Sequence, residues 1–326
     1  MTSKTINIGI IGGAGYTAGE LIRLLLNHPN ARLSFVQSSS HAGCPICSVH
    51  RDLIGETEQC FSASPEFSDC DVLFLCMGHG KSKIYLENHQ IPDTMRIIDL
   101  SQDYRLRTIG NDFIYGLPEL NREKIKNATK IANPGCFATG IQLTLLPLAA
   151  AGLLINEVHI HAITGSTGAG QAPTSTSHFS WRSGNMSVYK AFQHQHLGEI
   201  TESVKQLQPQ FNQSINFIPV RGNHTRGILV SMYTNFEGTE KEATALFQNY
   251  YESHPFVFVS SDNPDLKQVV NTNKALIYLE KHNDKLMVIS VTDNLLKGAS
   301  GQAVQNMNLM FGLNEKTGLC LKPVSF

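Results

Sequence analysis

The stretch Ile6-Asn7-Ile8-Gly9-Ile10-Ile11-Gly12-Gly13-Ala14-Gly15-Tyr16-Thr17-Ala18-Gly19 decides the first half of the fold. Its first six residues read as a strand. Glycines follow at 12 and 15, Ala18 holds the third small position, and Glu20-Leu21-Ile22-Arg23-Leu24-Leu25-Leu26 continues as an amphipathic helix. Strand, glycine turn and helix, in that order, let a backbone approach a pyrophosphate at a helix N-terminus. The stretch therefore predicts a dinucleotide site on Gly12, Gly13, Ala14, Gly15, Tyr16 and Thr17. The rival reading is a tight structural turn.

The next strand, Arg32-Leu33-Ser34-Phe35-Val36-Gln37, ends without the carboxylate that usually binds the ribose 2′-OH of NAD. Ser38, Ser39, Ser40 and His41 follow instead. Hydroxyls and main-chain N–H groups without a carboxylate suit a 2′-phosphate, so the reading favours NADP. Further strands are expected at Val72–Cys76 and Arg96–Leu100. Gly78-His79-Gly80 lies at a strand's carboxyl end, where ligands bind in sheets of this kind.

Lys130-Ile131-Ala132 forms a short strand that leads to Asn133-Pro134-Gly135-Cys136-Phe137-Ala138-Thr139-Gly140. Pro134 and Gly135 make a turn, and Phe137, Ile141, Leu145 and Leu148 then recur at helical spacing. Cys136 thus sits in the first turn of a buried helix. Unpaired N–H groups and the helix dipole there favour a thiolate and can hold an oxyanion. A buried cysteine acting as a small hydrophobe is the alternative.

Length and composition set the frame. The 326 residues suggest two domains, the 41% hydrophobic content supplies a core, and a net charge of −1 gives no bulk attraction to nucleic acid or membranes. The low charged fraction, 16%, fits a large interior or an oligomer. No run approaches a membrane span. Met1–Thr5 leads straight into the first strand, so no signal peptide is expected. Seven scattered cysteines argue for free thiols in a reducing cytoplasm. Cys44-Pro45-Ile46-Cys47, flanked by His41 and His50, has a spacing that zinc or redox chemistry could use. No second such pair exists, and no metal site is expected.

The pattern changes after about residue 152. Asn156–Ile163 alternates like a half-buried strand, with His159 and His161 on one exposed or interface face. Thr164-Gly165-Ser166-Thr167-Gly168-Ala169-Gly170 could bind an anion through successive N–H groups, or simply turn. Phe192–Ile200 is expected to open a helix running to about Gln208; His194 and His196 cannot both face the same way on it, so one sits before its first turn, and a helical turn can bring His196 and Glu199 together. Strands at 217–219, 227–233 and 285–291, with a helix at 239–251, complete a mostly antiparallel sheet covered on one side. Asp293–Ala303 restores a glycine turn and a helix to about residue 312, expected to return to the first domain. The expected fold class is α/β: a Rossmann-type NADP-binding domain over 1–135 with 296–326, plus an α+β substrate and oligomerisation domain over 136–295.

These motifs resemble the N-acyl-gamma-glutamyl-phosphate reductases of arginine biosynthesis, relatives of the aspartate-semialdehyde dehydrogenases. The resemblance spans nearly the whole chain. It rests on Gly12–Thr17, Asp99–Leu106, Tyr115–Leu120, Asn133–Cys136, Gly168–Gly170, His194-x-His196-x-x-Glu199-Ile200, Thr225–Gly227 and Asp293–Asn306. It implies Cys136 as an acyl-accepting nucleophile, with acid/base or substrate roles for His196 and His194. It implies NADPH-dependent reduction of N-acetyl-L-glutamyl 5-phosphate to the 5-semialdehyde through a Cys136 thioester, in a cytoplasmic homodimer or homotetramer whose partner is a small acyl phosphate. Gly168, Asn294 and Gly298 are expected on the cofactor side with Gly78 and His79. Arg105, Asn133, Ser166, Glu199 and Arg226 are expected at the substrate, the two guanidiniums gripping phosphate or carboxylate. The family's loop at 41–50 lacks the two cysteines, which weakens the metal reading. Where the family often has Pro-His-Leu-x-Pro-Met, this chain has Pro219-Val220-Arg221-Gly222-Asn223-His224. N-succinyl-glutamyl phosphate, aspartyl phosphate and a non-catalytic NADP-binding regulator are the alternatives.

Overall fold

The computed structural model describes residues 5–324, so the start Met1–Lys4 and the last two residues lie outside the described part. The chain divides into two compact units, one formed by residues 1–134 with 299–320 and the other by 135–298 with 321–326. The second crossing falls three residues after the expected 295/296 boundary. Residues 321–324 group with the second unit rather than the first, where Asn271 Nδ2 donates to Lys322 O at 3.5 Å.

The first unit holds β1 (Ile6–Ile11), α1 (Tyr16–Leu26), β2 (Ala31–Gln37), the short helix α2 (Ile46–Val49), β3 (Val72–Leu75), α3 (Lys81–Asn88), β4 (Arg96–Asp99), β5 (Ile114–Tyr115), α4 (Pro118–Lys126) and β6 (Lys130–Ala132). The sheet order is β2-β1-β3-β4-β6-β5, with every pairing parallel. Parallel strands covered on both faces must be apolar throughout, and β3 (Val-Leu-Phe-Leu) is buried at every position. The strand order reverses between neighbours β1 and β3. Gly12–Thr17 and Gly78–His79 follow their carboxyl ends, the place where such sheets bind ligands. α1 buries Ala18, Leu21, Ile22 and Leu25, the helical spacing the sequence shows, and begins at Tyr16, four residues before the expected Glu20.

The C-terminal helix (Ser300–Met310) belongs to this unit and is buried along its whole length despite Gln302, Gln305, Asn306 and Asn308. The side-chain amides of Gln305, Asn306 and Asn308 donate to Glu315 Oε2, Gly116 O and Glu315 O at 2.8, 2.8 and 3.1 Å. Asn308 Oδ1 meets His28 Nε2 at 3.0 Å, and Ser300 Oγ donates to Thr17 O at 2.7 Å. Helices α3 and α4 and strand β5 have no sequence counterpart above. α4 is polar on average and begins on Pro118, and β5 has only two residues, so neither presents a periodic apolar signal.

The second unit holds α5 (Cys136–Ala150), β7 (Val158–Thr164), α6 (Phe179–Arg182), β8 (Ser187–Val188), α7 (His196–Leu207), β9 (Ile215–Arg221), β10 (Ile228–Asn235), α8 (Glu240–Tyr251), β11 (Val257–Val259), β12 (Ala275–His282) and β13 (Lys285–Thr292). Its sheet runs β11-β12-β13-β10-β7-β9-β8. The sheet is mixed: β7–β9 and β11–β12 pair in parallel, and the other four pairings are antiparallel. Alternate residues of each strand (Val158, Ile160 and Ala162; Ile228, Val230 and Met232) join Phe137, Ile141, Leu145, Ile200, Val204 and Phe247 from the helices in one core. α5 is buried nearly all round because the apolar run after Cys136 continues on every face.

Candidate active site

In the first unit the glycine turn is held from below. Gly12 and Gly13 N–H groups donate to Gln37 O at 3.1 and 2.8 Å. Gly12 has φ +80°, and a Cβ on Gly13 would lie 2.3 Å from Val36 Cγ1, so both positions need glycine. His50 completes the support: its Nε2 meets Gly13 O at 2.7 Å and its ring fills the space that a Cβ on Gly19 would take. Sequence reading missed this residue, and 37 positions separate the partners, so no local spacing reveals it. Gly15 caps α1 with no side chain bonded there and open space around it. Free N–H groups at a helix start with room beside them fit a pyrophosphate.

At the end of β2, Ser38 Oγ lies 3.4 Å from Ser40 Oγ, which lies 2.8 Å from His41 Nδ1. The Ser38 N–H is used by Ser62 O, so the hydroxyls rather than that amide are the donors offered. Ser39 is exposed. Gly78 and His79 are exposed too, and His79 Nδ1 accepts from Gln102 N at 3.2 Å.

In the second unit Cys136 is the first residue of α5, half-buried, behind Gly135. The thiol's neighbours are tightly specified. A Cβ on Gly298 would lie 2.9 Å from Cys136 Cβ, and a Cβ on Gly135 would lie 2.3 Å from His196 Nε2. The Nε2 end of the His196 ring therefore points at the turn that leads into the cysteine. Glu199 Oε2 accepts the Gly135 N–H at 2.9 Å, and its Oε1 is 3.9 Å from His196 Nε2. His194 is 4.6 Å from the His196 ring and packs edge-on to Phe137, Phe217 and Tyr189. Burial, with Lys190 nearby, pushes its pKa down to about 4, so His194 is neutral near pH 7. His194 Nδ1 accepts the His196 N–H at 3.3 Å. Tyr189 was not singled out in the sequence. Burial and the Cys136 charge push its hydroxyl up to about 12, and the Arg221 guanidinium lies 4.9 Å over its ring.

Several residues expected at ligands are bonded within the fold. Arg105, 6% exposed, donates through Nε to Asn133 O at 2.9 Å and through Nη2 to Leu100 O at 3.0 Å. The guanidinium closes a buried turn and is not presented as an anion fork. Asn133 Nδ2 donates to Ala299 O at 3.0 Å, and its Oδ1 accepts from Asn306 at 3.1 Å. Arg226 pairs with buried Asp293, Nη2 to Oδ2 at 2.9 Å. Asn294 clamps two loops, accepting from Gly227 N at 2.8 Å and donating to Thr167 Oγ1 at 3.0 Å. Gly298 packs on Cys136 Cβ, and Glu199 serves the Gly135 turn. Ser166 opens a 3-10 turn, with its N–H on His224 O at 2.8 Å, and Gly168 is exposed there. Sequence patterns identify residue types suited to anions. They do not say which of them a buried carbonyl has already claimed. All seven cysteines are free, and no group of three or more His, Cys, Asp or Glu among the described residues is placed to hold a metal ion.

A parallel-sheet unit with a glycine turn, and a mixed-sheet unit that begins on a cysteine beside histidine, define a semialdehyde dehydrogenase-type chain. The family model "Semialdehyde dehydrogenase, NAD binding domain" matches residues 7–128, and "Semialdehyde dehydrogenase, dimerisation domain" matches 136–294. Among solved structures, aspartate semialdehyde dehydrogenase II from Vibrio cholerae shares the fold, with TM-score 0.70 at 16% identity over 95% of this chain and 99% of that one. The Candida albicans aspartate semialdehyde dehydrogenase does so with TM-score 0.71 at 13% identity over 94% and 99%. Curated relatives are far more similar: N-acetyl-gamma-glutamyl-phosphate reductases from Parabacteroides distasonis (58% identical) and Azobacteroides pseudotrichonymphae (59%), each matched over 98% of this chain and 100% of its own length. The chain belongs to the N-acetyl-gamma-glutamyl-phosphate reductase family.

Proposed function

We propose that this chain catalyses the NADPH-dependent reduction of N-acetyl-L-glutamyl 5-phosphate to N-acetyl-L-glutamate 5-semialdehyde and phosphate, in arginine biosynthesis, with Cys136 as the nucleophile. The observation that carries the mechanism is the placement of Cys136 at the start of α5 with the Nε2 end of His196 against the preceding glycine. The high identity to relatives of that name supports the substrate.

The Cys136 thiolate attacks the acyl carbon, the bond to the phosphate oxygen breaks, and a thioester remains. Bound NADPH supplies the hydride that reduces the thioester carbonyl, and the C–S bond then breaks to return the thiolate. Glu199 already occupies the Gly135 N–H, so the developing oxyanion takes the N–H groups from Cys136 onward at the helix start. His196 carries the proton to and from sulfur and oxygen. His194, held neutral by burial, orients His196 through its main-chain N–H. Gly12–Thr17 hold the pyrophosphate, and Ser38–Ser40 face the adenosine ribose.

The sheet of the second unit supports a homo-oligomer. The face away from the main core presents His161 and Tyr233, the latter 45% exposed and stacked on His159 at 4.8 Å, within the region matched by the dimerisation model. A second copy covers that face in this reading. The free cysteines agree with a reducing compartment.

Cys136→Ser tests the covalent route. The variant abolishes NADPH oxidation by the acyl phosphate and keeps NADP affinity within about twofold, as expected for a group that touches only the acyl carbon. Substantial turnover by the variant would overturn the thioester.

A further inference from the structure

We infer that His41 is the residue that selects the 2′-phosphate of NADP. The inference rests on the NADP reading above and adds to it a ring N–H donor in the loop after β2. Between Gln37 and Arg51 the chain has no Lys, Arg, Asp or Glu, only His41 and His50. His50 is 6% exposed and its Nε2 is committed to Gly13 O at 2.7 Å. Of the two imidazoles in the 38–50 segment, His41 is the one not bonded to the glycine turn.

The geometry suits that task. Ser38 follows β2 directly, at the point where a sheet of this topology places the adenosine ribose. From there Ser38 Oγ, Ser40 Oγ and His41 Nδ1 form a chain, with spacings of 3.4 and 2.8 Å. Fixing Nδ1 on Ser40 orients the ring, and Phe61, with its ring centroid 6.1 Å away, backs it. When the neutral ring accepts the Ser40 hydroxyl at Nδ1, Nε2 carries the proton. In the charged ring both nitrogens donate. With its proton on Nε2 the ring offers an N–H that a phosphate oxygen accepts better than the 2′-hydroxyl of NAD does. In NAD-specific sheets a carboxylate at this point would repel the phosphate, and here none is present.

The test is equilibrium binding measured by calorimetry, with NADP, NAD, adenosine 2′,5′-bisphosphate and 5′-AMP, on the full-length protein. The variants are His41→Ala and His41→Arg, with thermal melts of the ligand-free proteins confirming the fold. His41→Ala is expected to weaken NADP and the bisphosphate by about tenfold to a hundredfold and leave NAD and 5′-AMP nearly unchanged, the scale of one charged hydrogen bond. His41→Arg restores the preference. A His41→Ala protein that melts normally and still binds NADP as the parent does, while the parent prefers NADP to NAD, would overturn the inference and leave the NADP reading standing. A parent protein with no preference for NADP would overturn both.

Discussion

Glu199 reaches 64 residues back along the chain to accept the main-chain N–H of Gly135, 2.9 Å from its Oε2. One carboxylate thereby ties helix α7, which carries His196, to the turn that presents Cys136. Removing the acceptor leaves a buried N–H unpaired. Glu199→Ala should destabilise the protein by about 1–3 kcal/mol. Glu199→Gln keeps an acceptor and should cost much less. Both should lower kcat more than they raise KM, since neither touches the part of the substrate that sets affinity. Denaturant unfolding and steady-state kinetics on the two variants check the difference.

Two glycines beside Cys136 and His196 leave no room for a side chain. A methyl on Gly135 would collide with His196 Nε2 at 2.3 Å, and one on Gly298 would meet Cys136 Cβ at 2.9 Å and Asn294 O at 2.7 Å. Gly135→Ala should displace the imidazole and cut kcat about a hundredfold, the usual result of moving a reacting group by about 1 Å. Gly298→Ala should slow alkylation of Cys136 by iodoacetamide. Unchanged alkylation in Gly298→Ala would show that the thiol is positioned by something else.

His194 gives the fold an acid limit. Its pKa falls from the ordinary 6.5 to about 4 on folding, so the unfolded chain takes up this proton first as pH drops. Its share of stability is complete above about 6.5 and is lost as pH falls toward about 4. Burial lowers His28 and His224 in the same direction. The melting temperature should therefore decline across that window, and His194→Asn should decline less steeply than the parent. A parallel decline in the two proteins would remove His194 as a cause.

Arg226 is held by a buried carboxylate. It pairs with Asp293, which is fully buried and also accepts N–H groups from Asn271 at 2.7 Å and Leu295 at 2.8 Å. Arg226→Ala should cost about 1.5–3 kcal/mol, the range for a hydrogen bond to a charged group, because the main-chain donors still hold the carboxylate. Thermal unfolding of Arg226→Ala and Arg226→Lys checks this, and a variant as stable as the parent would return the guanidinium to the substrate side.

The elements with strong periodicity were legible in the sequence. β1, the glycine turn, α1 and the Cys136 helix each carry their pattern within a dozen or so residues, and the structure has all four. The chain's return to the first unit through the helix at 300–310 could also be expected from its glycine turn. What stayed hidden depends on long-range partners. The sequence marks Arg105 and Asn133 as polar and suited to anions, and only the fold shows main-chain carbonyls already bonded to their donors. The surroundings of His194 stayed hidden too: Phe137 and Phe217, distant in sequence, and nearby Tyr189 close around its ring, and burial lowers its pKa.

The central claim is a thioester on Cys136, and trapping it is the most direct test. Mixing the protein with N-acetyl-L-glutamate 5-semialdehyde and NADP in the absence of phosphate runs the reaction backward and strands the acyl-enzyme. After acid quench and proteolysis, peptide mass spectrometry should find one N-acetylglutamyl group on the peptide that contains Cys136. NADPH should form in stoichiometric amount, and added phosphate should discharge the adduct. NADPH formation with Cys136 unmodified, or an adduct on another residue, would contradict the account.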